Sequence, residues 1–274
     1  MEERVILDVQ DHVAHVRMVR SDKMNALDTA MFQALIDSGD QLKNDRDVRA
    51  VVISGEGRAF CAGLDLESMS ANGSGDGETE TTNDQTTSGE GRLERRTHGI
   101  ANFPQYASWV WREVPVPVIA ALHGVALGGG CQLAMGADIR YAAPDTRLCI
   151  MEMKWGLVPD MAATPYLQNL LRDDILRELT YTNRMIEAAE ALSLGLVTRI
   201  CDDPLATALD TAAEIACRNP EAIRGAKRIL NAAPFQNPQE ILLSESREQD
   251  KIIGTPNQME AVMANLEKRS PKFP

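Results

Sequence analysis

The sequence predicts an α/β fold in which helices cover a mostly parallel sheet and a helical region follows. Over the first two thirds of the chain, short apolar runs typical of buried strands alternate with segments whose apolar residues recur at helical spacing. Beyond Pro204 the helical spacing continues almost without interruption. We therefore expect an α/β core at residues 1–202 and a helical region at residues 203–274.

The core begins with a predicted hairpin. Residues 4–9 and 13–19 alternate apolar and polar side chains on either side of a short connection, as paired strands do. Residues 27–42 carry apolar side chains at helical spacing, which predicts a helix. Residues 48–54 are apolar except for Arg49 and Ser54 and lead to Gly55, which is typical of a strand buried on both faces.

The rest of the core continues this alternation. A helical pattern covers residues 93–111, and a strand is predicted at 118–122. A helix is predicted at 165–172, with Thr164 as its N-cap and Pro165 in its first turn. The C-terminal helices, each of which begins with proline, are predicted at 204–218, 220–231, 238–253 and 256–268.

Residues 70–91 interrupt the pattern. These 22 residues include five glycines and five acidic residues, no lysine or arginine, and one apolar residue, Ala71. Such a composition buries too little apolar surface to offset the entropy of ordering. We expect a flexible surface loop within the core.

Composition narrows the function classes. The chain has 28 basic and 40 acidic residues in 274, a formal net charge of −12, which disfavours nucleic acid as the main partner. The longest stretch without charge contains prolines and glycines and does not indicate a membrane span. Five scattered cysteines lack metal-ligand spacing and indicate reduced thiols. The acidic first residues are not typical of a targeting leader, so a cytoplasmic protein is expected. No metal site is expected, because no group of residues has metal-ligand spacing.

Two glycine-containing turns give the strongest signal for a binding site. At residues 128–130 a strand leads through three glycines into a helix, so backbone N–H groups and the helix dipole could meet an anion. Residues 57–66 show a second strand–turn–helix pattern. One N–H from each turn could hold a carbonyl oxygen that gains negative charge, a contribution of roughly 3–4 kcal/mol per donor. The same glycines would also suit tightly packed turns without a ligand.

These motifs resemble those of the crotonase, or enoyl-CoA hydratase/isomerase, superfamily. The segments that carry the resemblance are residues 24–27, 60–65, 126–131, 182–184, 190–197 and 267–273. The resemblance covers nearly the whole chain apart from residues 70–91. It implies a spiral of ββα units, a C-terminal oligomerisation region at 203–274, and trimers that often pair into hexamers.

The resemblance also implies how an acyl-CoA thioester would bind. The N–H groups of Leu64 and Gly129 would hold the thioester oxygen, and Lys268 would meet the CoA phosphates of a neighbouring subunit. Arg20 and Lys227 are further basic residues near these motifs, although solvated surface charges are at least as plausible an interpretation. No cofactor is expected, because coenzyme A is part of the substrate. The residues that would line the substrate are Ala62, Leu64, Asp65, Leu66, Glu67, Gly129 and Gln132.

Three residues bear on the reaction. Hydratases of the family carry a glutamate directly after the glycine turn, but here that position is Gln132, whose amide neither accepts nor delivers a proton at neutral pH. The family's second glutamate is present as Glu152, and Asp160 follows it in an arrangement that resembles dienoyl-CoA isomerases. Two carboxylates in a dry pocket raise each other's proton affinity, so one can stay protonated near pH 7. Those isomerases carry an aspartate where this chain has Gln132, so the match is partial.

We therefore expect an acyl-CoA double-bond isomerase in which Glu152 and Asp160 move protons. The alternative is an enoyl-CoA hydratase that uses Glu152 alone, with Gln132 positioning the water. A catalytically weak acyl-CoA-binding protein is a further alternative. An RNA-binding relative of the family is disfavoured by the acidic composition.

Overall fold

The computed structural model describes residues 3–65 and 93–274. The expected flexible loop at 70–91 and the substrate-lining roles of Leu66 and Glu67 lie outside the described residues. All five cysteines lie within them and are free, as expected, and three of the five are buried.

The described strands form two sheets. The strands are β1 (Val5–Gln10), β2 (Val13–Met18), β3 (Ala50–Gly55), β4 (Val118–Leu122), β5 (Val125–Leu127), β6 (Ile139–Ala142), β7 (Arg147–Cys149), β8 (Ile186–Glu187) and β9 (Arg199–Ile200). The large sheet has the order β1-β2-β3-β4-β6-β9, and the small sheet has the order β5-β7-β8. Apart from the antiparallel pairs β1–β2 and β7–β8, these strands pair in parallel. The prediction of an α/β fold with a mostly parallel sheet is confirmed.

The described helices surround the sheets and continue to the C-terminal end. They are α1 (Thr29–Asn44), α2 (Phe103–Glu113), α3 (Gly129–Gly136), α4 (Ala163–Leu167), α5 (Asp173–Thr182), α6 (Ala188–Leu194), α7 (Pro204–Ala216), α8 (Pro220–Ala232), α9 (Pro238–Asp250) and α10 (Pro256–Leu266). Each of the last four begins with proline, where the missing N–H would have had no helical partner.

Two predicted helix starts were wrong. The helix expected from residue 93 begins at Phe103, because Asn102 and Gln105 form a reciprocal capping box there, and residues 93–102 contain turns. The helix expected after a Thr164 cap begins at Ala163 and ends at Leu167. Its N-cap is Ala162, whose positive φ of 67° turns the chain sharply into the helix.

Both faces of the large sheet are covered, which explains its continuous apolar strands. Val51 and Ile53 of β3 face the main core beneath α1 and α2. Ala50 and Val52 face the opposite side, where α7 packs through small residues that include Ala208. Because successive residues of a strand point to opposite faces, burial on both sides requires apolar residues throughout.

The chain winds as a spiral between the sheets. β4 leads within a few residues into β5, and α3 follows. β6 leads in the same way into β7, and a 3-10 turn at Glu152–Trp155 follows. After β3, Cys61 forms a parallel bridge with Ala126 in β5. The segments that follow β3, β4 and β6 therefore all reach the small sheet, where the sequence motifs lie.

The C-terminal helices leave much apolar surface exposed. Exposed apolar side chains of α9 and α10 are Leu242, Leu243, Met259, Val262, Met263 and Leu266.

In the described parts of the chain no helix is both long and apolar enough to cross a membrane.

Candidate active site

The two glycine-containing turns predicted to converge do lie side by side. The Cys61 N–H donates to the Val125 oxygen at 3.1 Å, and the Leu127 N–H donates back to the Cys61 oxygen at 3.0 Å. These bonds join the loop after β3 to β5, which leads directly into the second turn. Residues 64 and 66 positions apart in sequence are thereby held side by side, as in parallel strand pairing.

Close backbone approach explains the glycines in both turns. Gly63 has a φ of +87°, and a Cβ at this position would lie 2.5 Å from the Leu127 oxygen. A Cβ at Gly130 would lie 2.4 Å from the Cys61 oxygen. Any larger residue at either position would push the two turns apart.

The backbone N–H groups of Leu64 and Gly129 are available to a ligand. Among the described residues, neither has a backbone acceptor. Leu64 lies between two residues that bond to Leu27, so its own N–H faces the other way. The Gly129 N–H lies in the first turn of α3, where an N–H has no helical partner and the helix dipole is positive.

Both donors lie in one cleft with the predicted catalytic glutamate. The residues that line this cleft are Ala62, Gly63, Leu64, Leu127, Gly128, Gly129, Met151, Glu152, Trp155 and Leu157. The side chains of Met151, Trp155 and Leu157 form an apolar wall of the cleft. A thioester oxygen at the N–H pair would therefore lie beside a carboxylate in a partly dry environment.

Glu152 is buried, with 6% of its surface exposed. Its Oε1 accepts a hydrogen bond from Gln132 Nε2 at 2.5 Å, whereas its Oε2 is buried without a hydrogen-bond partner in the described structure. Burial raises the pKa of Glu152, the Gln132 N–H opposes that rise, and the negative charge of Asp160 adds to it. A buried carboxyl of raised pKa is suited to proton transfer near neutral pH.

Asp160 lies close enough to influence Glu152 electrostatically. It is half-buried, and burial raises its pKa as well. Because Ala162 is the N-cap of α4, Asp160 is not required as a helix cap. The structure therefore brings together the two carboxylates that the sequence singled out.

Gln132 is buried behind Glu152 and does not line the cleft, with 1% of its surface exposed. Its Oε1 accepts hydrogen bonds from the Met161 N–H at 2.8 Å and the Ala163 N–H at 3.2 Å. The amide contacts the catalytic carboxylate on one side and the segment after Asp160 on the other.

The remaining predicted residues are dispersed. The Asp65 carboxylate forms an ion pair with Arg20 at 2.7 Å. Asp65 therefore does not line the cleft, and the charge of Arg20 is used within the fold. Lys227 is buried and paired with Asp138, which corrects its interpretation as a surface residue beside CoA. Lys268 is exposed just beyond α10.

The sequence did not indicate a second cavity, which has Ala162 in its wall. Its volume is about 420 Å³, and its walls include Ile100, Trp109, Ala162, Pro165 and Phe235. Ala162 places it two residues from Asp160. The walls come from three distant segments, and no local pattern in the sequence indicates that they meet.

Comparison with known proteins gives the family. The model of the enoyl-CoA hydratase/isomerase family matches residues 13–273. The chain is 31% identical over 271 residues to a Mus musculus protein named "Delta(3,5)-Delta(2,4)-dienoyl-CoA isomerase, mitochondrial", covering 97% of this chain and 80% of that protein. It is 32% identical over 274 residues to a Mycobacterium bovis protein named "Probable enoyl-CoA hydratase echA8", covering 99% of this chain and 98% of that protein.

A solved structure agrees with these relatives. The crystal structure of enoyl-CoA hydratase from Bacillus anthracis matches with a TM-score of 0.85 and 28% identity, covering 99% of both chains. Relatives named for two different reactions are thus about equally similar. With the fold and the motifs, these matches show that the chain belongs to the enoyl-CoA hydratase/isomerase family and has the crotonase fold.

Proposed function

We propose that the protein isomerises a double bond of an enoyl- or dienoyl-CoA. One observation carries the proposal: Glu152, a buried carboxyl of raised pKa, shares a cleft with the N–H groups of Leu64 and Gly129. Asp160, whose pKa is also raised, lies close enough to Glu152 to act on its pKa. An isomerase needs a base at one carbon and an acid at another, and this pair supplies both.

The proposed reaction is a proton transfer through an enolate. One carboxylate removes a proton from carbon, and the electron pair moves along the conjugated chain onto the thioester oxygen. The Leu64 and Gly129 N–H groups stabilise that oxygen as it gains charge. The other carboxyl then delivers a proton to the far end of the conjugated system. One carbon–hydrogen bond forms there as the electron pair returns from the thioester oxygen, which balances the one that was broken. The two carboxyl groups exchange protonation states, and a proton returns between turnovers.

The apolar cavity beside Ala162 supports an acyl substrate. Its walls suit a hydrocarbon chain that extends beyond the two carboxyl groups. Coenzyme A enters as part of the substrate in this proposal, and no resident cofactor takes part.

The exposed apolar side chains of α9 and α10 support a homo-oligomer, either a trimer or a dimer of trimers. Lys268 lies two residues beyond the end of α10, and in such an assembly it would contact the CoA phosphates of a neighbouring subunit. The cytoplasmic location expected from the sequence stays a prediction, because relatives such as the mouse protein are named mitochondrial.

Hydration of a 2-trans-enoyl-CoA by Glu152 is the second candidate. The similarity to a protein named as a hydratase favours it. The contacts of Gln132 argue against this amide as the group that positions the water, because its oxygen already accepts two backbone N–H groups.

Ultraviolet absorbance of two substrates separates these candidates. Isomerisation of a 3,5-dienoyl-CoA brings the diene into conjugation with the thioester, whereas hydration of a 2-trans-enoyl-CoA removes conjugation. We expect the first reaction, and we expect Asp160→Asn to slow it by about a hundred- to ten-thousand-fold, the usual effect of a general acid or base.

The control is Asp173→Asn, which alters an exposed aspartate paired with Arg177 and is expected to leave the rate unchanged. An isomerase rate in Asp160→Asn equal to that of the unaltered protein would contradict the two-carboxylate mechanism. Hydration without isomerisation would favour the second candidate, and tight acyl-CoA binding without turnover would favour a binding protein.

A further inference from the structure

Gln132 connects the two carboxylates of the site. Its Nε2 donates to Glu152 Oε1, and its Oε1 accepts the Met161 and Ala163 N–H groups. The Met161 N–H belongs to the peptide bond that follows Asp160. One buried amide thus contacts Glu152 directly and holds the backbone that carries Asp160.

The orientation of this amide is determined by its surroundings. Two backbone N–H groups can be satisfied only by an acceptor, so the oxygen of Gln132 must face Met161 and Ala163. The amide nitrogen must therefore face Glu152. With 1% of its surface exposed, Gln132 has little freedom to rotate.

The amide distinguishes the two oxygens of Glu152. Oε1 accepts an N–H from Gln132, so a proton on Oε1 would oppose this donor. Oε2 has no hydrogen-bond partner among the described residues. Any proton that Glu152 carries or exchanges therefore belongs on Oε2.

We propose that Gln132 is a positioning residue that reserves Oε2 of Glu152 for proton exchange with the substrate and holds the Asp160 segment in register with it. The inference rests on the proposed function for the exchange step. In that step the substrate carbon–hydrogen bond breaks, the proton moves to Oε2, and the electron pair moves to the thioester oxygen. The reverse transfer also uses Oε2.

The other groups that face Glu152 do not supply this hydrogen bond. Burial raises the pKa of the Cys131 and Cys149 thiols, that of Cys149 to about 11, so both are neutral near pH 7. Asp160 contributes a negative charge. Gln132 is therefore the side chain among these neighbours that lowers the pKa of Glu152, and the backbone groups of Glu152 and Met151 lower it as well. A glutamate at this position would keep the acceptor for Met161 but would place a second carboxylate against Glu152.

The test compares two substitutions that separate the two ends of the amide. Gln132→Met removes the donor to Glu152 and the acceptor for Met161 and Ala163. Gln132→Glu keeps the acceptor and removes the donor. The pKa of Glu152 is measured by ¹³C NMR on protein labelled with ¹³Cδ-glutamate, with Glu152→Gln to assign the signal. We expect both substitutions to raise that pKa by about 1 or more, because each loses a hydrogen bond to the charged form.

Turnover gives a second readout. We expect both substitutions to lower kcat by roughly ten- to a hundred-fold, the value of a hydrogen bond to a charged group. KM is expected to change little, and the loss is expected to shrink at higher pH, where Glu152 is ionised again. Gln132→Met is expected to be the slower of the two, because the Asp160 segment is also released.

Ser108→Ala is the matched control, because the Ser108 hydroxyl donates to the Gln132 backbone oxygen at 2.8 Å and is equally buried. It removes a buried hydrogen bond at the same residue without altering the amide. An unchanged Glu152 pKa in Gln132→Met, or an equal rise in Ser108→Ala, would overturn the inference. The expected pKa shift in a protein without isomerase turnover would instead overturn the proposed function, so the two failures are distinguishable.

Discussion

Two buried ionisable residues, Lys227 and Glu152, differ in how completely their polar atoms are bonded. The Lys227 ammonium donates to the Trp111 oxygen at 3.1 Å, the Val116 oxygen at 2.9 Å and Asp138 Oδ2 at 2.7 Å, which uses all three of its N–H groups. It joins α8 to α2, to the loop between α2 and β4, and to the residue that precedes β6.

Glu152 keeps one carboxylate oxygen without a partner among the described residues. Burying a charged group with incomplete hydrogen bonding costs stability, so such an arrangement persists where the free atom has another use. The contrast indicates that the fully bonded Lys227 serves the fold and the partly bonded Glu152 serves the chemistry.

The largest effect that would test this contrast is on catalysis. Glu152→Gln keeps an oxygen that can accept the Gln132 N–H but removes the titrating group. We expect the isomerase rate to fall by about a hundred- to ten-thousand-fold. The melting temperature at pH 7 should not fall. A parallel loss of rate and stability would mean that Glu152 is structural, as Lys227 is.

The second effect is on stability. We expect Lys227→Met to lower the free energy of unfolding by about 3–5 kcal/mol, because it leaves buried carbonyl oxygens and Asp138 without their partner. Urea denaturation measures this loss, and the rate per folded molecule should be retained. Lys251→Met is the control, because its exposed pair with Glu248 should contribute no more than about 1 kcal/mol. Equal losses in both variants would contradict the assignment of Lys227.

The smallest effect concerns the pH dependence of stability. The folded pKa of Glu152 is raised above its ordinary value of 4.5, so the folded state binds the proton more tightly than the unfolded state does. The stability from this proton is fully present below pH 4.5 and is lost as the pH rises through the folded pKa.

Glu152→Gln removes this dependence. Relative to the unaltered protein, the variant should gain stability between pH 4.5 and the folded pKa of Glu152, by about 1.4 kcal/mol for each pKa unit by which that value is raised. Melting curves from pH 4 to 9 measure the difference. A difference that is constant with pH would show that Glu152 does not titrate differently in the folded state.

Much of the site could be predicted because its signals are local. Glycine at positions 63 and 130 is required by the close approach of the two turns, but each turn leaves its own local pattern of adjacent small residues. Glu152 and Asp160 lie within one short segment, so their proximity follows from chain geometry. The hairpin and the proline-initiated C-terminal helices are local in the same sense.

The contacts that the sequence did not reveal are between distant residues. Gln132 was expected to face the substrate, but its amide bonds to Glu152 and to backbone 29 positions away, because α3 presents it to the back of the cleft. Lys227 reaches Asp138 across 89 positions. The start of α2 depends on a side-chain capping box that helical spacing does not register.

The sequence by itself determined the fold class, the two glycine turns and the pair of carboxyl groups, because backbone sterics and apolar periodicity act over a few residues. The tertiary structure decided which polar atoms of those residues remain free. Hydrogen-bond satisfaction in a buried site depends on every element packed around it, and those elements meet only in the folded chain.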